Sequence, residues 1–213
     1  MNEVIQKVVE ALRKNRMGAE YVSTKEDVLP LVKSLIPVGS TVATGGSRTL
    51  DECGVTDLLR GGDYVYYDRN DPSLSAEEKA AVTAKGATAD VYLCSSNAIT
   101  EQGVLYNVDG FSNRVAAIAN GPKKVILVVG VNKIVPNLEA AIHRVKTIAA
   151  PLNTKRLQCD TYCRQTGVCM GVDGAMMDGC HSPGRICCSY LISAQQRVEN
   201  RIHVILVGET LGF

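Results

Sequence analysis

The sequence predicts an α/β fold with a mainly parallel sheet and helices on both of its faces. Three observations carry this expectation. Short β-rich runs alternate with helical segments. One run, VILVVG (125–130), is apolar throughout, as a strand covered on both faces must be. No internal repeat or low-complexity segment interrupts the order.

Taken in chain order, Val4, Ile5, Val8, Val9 and Leu12 recur at helical spacing and define a first amphipathic helix. Thr24 followed by Asp27 reads as an N-cap with a carboxylate in the first turn, opening a second helix over 28–36. Pro30 is tolerable there only in the early turns. The β-rich runs are TVAT (41–44), YVYY (64–67), DVYLC (90–94), VILVVG and HVILVG (203–208). Between them 48–59, 76–85, 113–119 and 137–149 read as helices. From about Asn153 to Arg185 the pattern lapses into a loop-like, glycine-rich stretch without a sustained period.

The chain has 213 residues, enough for one large domain, and the whole of 1–213 is expected to form it, with 153–188 as a Cys-rich, metal-binding insertion. A hydrophobic fraction of 46% and a charged fraction of 21% are ordinary for a globular protein. A net charge of +1 gives no electrostatic reason to expect a nucleic acid or an anionic membrane as partner. No run approaches the roughly 18–20 apolar residues of a membrane span. The charges scattered through the first 17 residues are unlike a secretory leader, so a cytoplasmic address is expected.

Three constellations could carry chemistry. The first, ATGGSRTLDECG (43–54), joins a strand to a helix. Gly45 and Gly46 permit close approach of a ligand, and Ser47, Thr49 and the first helical N–H groups suit a phosphate or carboxylate. Ser47 is equally placed to be an ordinary N-cap. The second, SSNAITEQGVLYNVDGFSNR (95–114), follows the strand DVYLC. It gathers Asn97, Thr100, Glu101, Asn107, Asp109, Asn113 and Arg114 where ligands bind in open α/β sheets, beyond the carboxyl ends of strands. Glu101 could act as nucleophile, base or hydrogen-bond acceptor. Asn107 and Asp109 could instead build turns, and Arg114 could pair with Asp109 or hold an anion.

The third is sulfur. Six of the eight cysteines fall between Cys159 and Cys188. Disulfides, a metal, an iron–sulfur cluster or a reactive thiol could explain them, and a reducing compartment favours metal or redox chemistry. The spacing Cys163-x5-Cys169-x10-Cys180-x6-Cys187 matches neither a zinc ribbon nor a ferredoxin run. Four thiolates can nevertheless close a zinc site or hold a cubane, with Cys159 and Cys188 surplus. His181 reads as a bystander, and Met176 and Met177 as loop packing. Cys53 and Cys94 read as small core residues. The glycine turn lacks the GxGxxG of nicotinamide-binding folds.

Together these segments resemble the LUD-domain lactate-utilisation family. The densest likeness is ADVYLCSSNAITEQGVLYNVDGFSNRVAAIANGPKKVILVVGVNKIV (89–135), with GGSRTL before it and the later C-x-S-P-x-R-I-C pattern. The resemblance implies a Rossmann-like sheet akin to the ribose-5-phosphate isomerase and CoA-transferase superfamily. It also implies a common cleft around Gly45, Gly46, Ser47, Glu101, Gly103, Asn107, Asp109, Gly110, Asn113 and Arg114. Lys133 is a further cleft candidate, or else a solvated charge at a strand end. Glu101-Gln102-Gly103 looks like the Glu-x-Gly of CoA transferases, whose glutamate forms an acyl-enzyme.

By the same resemblance the protein is expected to take part in oxidising lactate or a related organic acid. It would bind a small organic acid, or a phosphorylated or CoA-type anion, beside iron–sulfur oxidoreductase partners. The family's cysteine pattern maps onto Cys163, Cys169, Cys180 and Cys187, implying a [4Fe–4S] cluster with zinc as the alternative. This sequence departs from that pattern by the longer gap MGVDGAMMDG and the added Cys188. A transferase or isomerase using Glu101, and a non-catalytic metabolite-binding subunit with structural zinc, are the alternative functions. Substrate identity, electron partner and any homo-oligomeric assembly stay open.

Overall fold

The computed structural model describes residues 2–213. Its larger sheet has six parallel strands, β1 (Gly18–Val22), β2 (Thr41–Thr44), β3 (Val65–Tyr67), β4 (Val91–Cys94), β7 (Lys124–Gly130) and β10 (Ile202–Val207), in the order β1-β10-β7-β4-β2-β3. A smaller sheet, ordered β8-β5-β6-β9, comprises β5 (Ala98–Thr100), β6 (Leu105–Asp109), β8 (Ile134–Val135) and β9 (Ser189–Ser193). Within it β5 and β8 run parallel, while β6 is antiparallel to both β5 and β9.

Residue alternation along the central strands divides the core. Val125, Leu127 and Val129 face one side with Val8 and Leu12 of α1 (Glu3–Lys14) and Ile118 of α6 (Asn113–Ala119). Ile126 and Val128 face the other with Val28 and Val32 of α2 (Val28–Leu35), Leu50 of α3 (Arg48–Glu52) and Leu59 of α4 (Val55–Arg60). Every residue of β10 is buried. At about 25 cal/mol per Å² of apolar area this two-sided burial is the dominant stabilising term. On the first face α5 (Ala76–Gly86) ends where Gly86 meets Ala43, and a Cβ there would lie 2.9 Å from the alanine's.

Helix starts follow the sequence signals. Asn2 Oδ1 accepts from the Ile5 amide at 2.9 Å to cap α1, and the Thr24 amide donates to Asp27 Oδ2 ahead of α2. Pro30 occupies the third position of α2, where its missing N–H costs nothing.

Two helical readings are revised. The segment 48–59 is two short helices, because Gly54 (φ 69°) breaks it after Cys53. The segment 137–149 is longer than its periodicity suggests. It starts as α7 (Leu138–Arg144), widens into a π-turn over Val145–Ala149, and continues as α8 (Ala150–Leu157). The extra residue per turn shifts the apolar phase, so the pattern fades although the helix does not. The stretch expected to be loop-like from Asn153 therefore begins inside a helix and holds a further short one, α9 (Tyr162–Thr166). Among the described residues no helix is long and apolar enough to cross a membrane.

Candidate functional site: a basic cleft beside a cysteine-lined cavity

Strand order places the site. From β2 the chain moves outward to β3, whereas from β4 it moves the other way, toward β7 and β10. The carboxyl ends of β2 and β4 thus flank the point where direction reverses, which opens a crevice. The Gly45–Ser47 turn follows β2, Ser95–Asn97 follow β4, and Lys133 follows β7. Together with Thr49, Asp109, Gly110, Asn113 and Arg114, these residues line two adjoining cavities, the larger about 650 Å³.

Roles within the crevice are not alike. Ser47 Oγ accepts from the Leu50 amide at 3.4 Å, so Ser47 caps α3. Arg114 is a tie-bar. Its guanidinium donates to the Ser95 carbonyl at 3.1 Å, Asn97 Oδ1 at 2.8 Å, the Val108 carbonyl at 2.6 Å, and Asn107 Oδ1. Asp109 accepts from the backbone amides of Phe111, Arg114 and Val115, the turn-building role open to it from sequence. Asn107 is fully buried behind Arg114, with its Nδ2 unpartnered.

Four residues expected around the cleft do not line it. Thr100 Oγ1 accepts from the Val104 amide within the β5–β6 turn. Glu101 sits at that turn and pairs with Lys7 of α1 at 2.7 Å. Gly103 (φ 73°) lets the turn press against α1, where a Cβ would stand 2.7 Å from the Leu12 nitrogen. Asn107 acts through Arg114.

The cleft's positive charge comes largely from residues the sequence reading passed over. Arg69 and Arg156 bring their Nη2 atoms to 3.7 and 3.9 Å from the point where a Cβ on Gly46 would stand. Arg69 Nε is buried without a partner. Among the described residues neither arginine makes an ion pair, whereas Arg60, in the same cleft, is neutralised by Asp68 at 2.7 Å. Arg69 follows β3 at its carboxyl end, the rule that located the other loops, and so was legible in principle. Arg156 was hidden by the lapse in helical period.

Lys133 is 2% exposed. Its Nζ donates to Thr49 Oγ1 at 2.9 Å and to Ser95 Oγ at 3.0 Å, with no carboxylate in ion-pair reach among the described residues. Burial, then the charges of Arg144 and Arg114, push its ammonium down to about 7, against smaller opposing effects of Glu52 and Cys53. Arg144 ties the crevice loops together by donating to the carbonyls of Asn97 and Asn132.

Beside the crevice lies a second cavity. Cys163, Cys169, Cys180 and Cys187 all line it, with Tyr106, Lys146, Met176 and Tyr190. Cys159 lines the larger cleft instead, and Cys188 is exposed with its thiol against the Arg185 carbonyl. Burial pushes the Cys187 thiol up to about 12, helped by Cys163, Cys169 and Cys180. At Cys180 burial acts the same way. Hydrogen bonds from Ser182, the Arg185 charge and a backbone bond from Tyr162 outweigh it and lower that thiol. All eight cysteines are free. Among the described residues no three His, Cys, Asp or Glu side chains gather tightly enough to hold a single metal ion.

Two cations hold the cysteine loop. Lys146, in the π-turn, donates to the carbonyls of Gly171, Gly174 and Ala175, the last at 2.6 Å. Arg185 donates to the carbonyls of Met177, Cys180 and Cys187, each at 2.8 Å. The loop's order therefore has a source in the protein itself. The two cavities share a wall made of Val145, Ala150, Ile186 and Cys187.

Fold and crevice define an α/β domain with a basic crevice at the sheet's switch point. The LUD-domain family signature matches residues 5–207, and the chain belongs to that family, which is associated broadly with lactate utilisation. The crystal structure of a DUF162 family protein from Deinococcus radiodurans is similar in fold, with a TM-score of 0.53 at 18% identity over 97% of each chain. No curated protein matches in sequence.

Proposed function

We propose that the protein serves the oxidation of lactate or a related organic acid, binding the acid's carboxylate in the basic crevice and carrying a [4Fe–4S] cluster on Cys163, Cys169, Cys180 and Cys187. The observation that supports this most is the shared wall: Cys187 borders both the cysteine cavity and the crevice.

Four cysteines lining one cavity form an all-thiolate donor set that suits a cluster and a structural zinc alike, and the family resemblance tips the reading toward the cluster. A cluster held there would supply one-electron transfer.

The chain's own residues do the rest. Arg69 and Arg156 attract and orient the carboxylate, Gly46 leaves room for it, and Arg114 fixes the crevice loops. Lys146 and Arg185 hold the cysteines in position. An iron–sulfur oxidoreductase would be the electron partner.

Iron and acid-labile sulfide analysis of anaerobically purified protein tests the reading. About four of each per chain, lost together in Cys163→Ser, is the expected result. Colourless protein with stoichiometric zinc would overturn the cluster in favour of a structural metal.

A further inference from the structure

Lys133 differs from the other cations of the crevice in having hydroxyls as its only hydrogen-bond partners. Lysine is almost never fully buried without a paired charge. Here the amine is buried among cations: Arg144 is 6% exposed, and Arg114 lines the same cavity. Glu52 lies nearby on α3, but its Oε2 is taken by the Gly212 amide at 2.7 Å. Desolvation and neighbouring cations are the two conditions that turn a lysine from an ion into a nucleophile. The cavity that Lys133 lines also contains Gly46, Ser47 and Arg156, so an amine and an anion-holding group face one small space.

We propose that Lys133 captures the carbonyl of a 2-oxo acid as an imine, with the acid's carboxylate held by Arg156. The inference rests on the reading of the crevice as a small-organic-acid site. The Nζ lone pair attacks the carbonyl carbon, forming the N–C bond as the carbonyl oxygen takes up a proton. The resulting carbinolamine loses its hydroxyl as water, and the nitrogen keeps the positive charge of a protonated imine. Amine, ketone and one proton thus give iminium and water, with no change of oxidation state. Thr49 and Ser95 place hydroxyls 2.9 and 3.0 Å from the nitrogen, where they can pass protons between it and the leaving oxygen. A 2-hydroxy acid has no carbonyl to attack. The site would therefore retain the oxidised acid covalently and the reduced one only through its charge.

The test is borohydride trapping with pyruvate or glyoxylate, followed by peptide mass spectrometry. The expected result is one reduced adduct on the peptide carrying Lys133, formed at near-neutral pH and absent with lactate. Lys133→Arg should abolish it, and Thr49→Val should slow it about tenfold or more while leaving the protein folded. Calorimetry with the same acids is run alongside. Intact carboxylate binding with no adduct at Lys133 overturns the imine and leaves the crevice reading standing. Loss of all binding by wild-type protein overturns the crevice reading itself. Equal labelling of Lys133→Arg assigns the adduct to surface lysines and also overturns the proposal.

Discussion

Arg69 and Arg156, from a strand-end loop and a helix 87 residues apart, turn their guanidinium groups toward the same point beside Gly46, at 3.7 and 3.9 Å. Neither makes an ion pair among the described residues, so the two like charges repel, and an anion bound there would stabilise the arrangement. The bare backbone at Gly46 leaves space for one.

Arg156→Ala is therefore expected to weaken binding of a small carboxylate about tenfold or more, since a charge-assisted hydrogen bond contributes about 1.5–3 kcal/mol. The loss should shrink as salt is added. Gly46→Ala tests the space: its Cβ would make only ordinary contacts, so the melting temperature should hold while affinity falls several-fold. Calorimetry at two ionic strengths and thermal unfolding measure both.

Lys146→Met removes the donor that serves three loop carbonyls. Losing hydrogen bonds from a charged donor is expected to cost about 1.5–3 kcal/mol, read from denaturant unfolding. Because the same loop carries Cys169, iron content should drop in parallel.

Lys133 makes a pH-dependent contribution whose sign is fixed. Its folded-state pKa, about 7, lies below the unfolded value near 10.4. Between those values the unfolded chain binds more protons, so stability rises with pH across the window. In Lys133→Met that increment should vanish, making the variant relatively more stable at pH 6 than at pH 10. Chemical denaturation of both proteins across that range measures the difference, which cancels the titration of the cysteines they share.

Glu101 pairs with Lys7 outside the cleft. Glu101→Gln is expected to leave carboxylate binding unchanged and to cost no more than about 1 kcal/mol of stability. Gly103→Ala, two residues on, should cost about 2 kcal/mol or more, because it combines a positive φ with a clash against α1. Full retention of hydroxylamine-sensitive acyl labelling by Glu101→Gln would exclude that residue as nucleophile. Loss of labelling would revive the transferase alternative.

The six-stranded sheet was largely legible because VILVVG and its neighbours are buried on both faces and leave an unbroken apolar run. β1 escaped notice because GAEYV mixes a half-buried charged position, Glu20, into an edge strand. The small sheet escaped for a different reason. Asn107, Asp109 and Thr100 look like loop residues but lie on strands, where Arg114 and backbone amides donate to their side-chain oxygens. The crevice loops were visible from the strand-end rule; Cys163, Cys169, Cys180 and Cys187, grouped by spacing and by the family resemblance, line one cavity. Arg156 was not visible, since a single charge on a helix carries no periodic signal, whereas Arg69 follows a strand end and the same rule reaches it. Lys146 was lost in the π-turn's shift of phase.

The adjacency of crevice and cysteine cavity is tested most directly by electron paramagnetic resonance of the anaerobic, dithionite-reduced protein with and without a bound 2-oxo or 2-hydroxy acid. The expected result is a cluster signal whose g-values shift when the acid binds and stay fixed in Arg156→Ala at the same acid concentration. Protein without iron and sulfide, or a cluster signal indifferent to saturating acid, would contradict a function in which Cys187 forms the wall between the two.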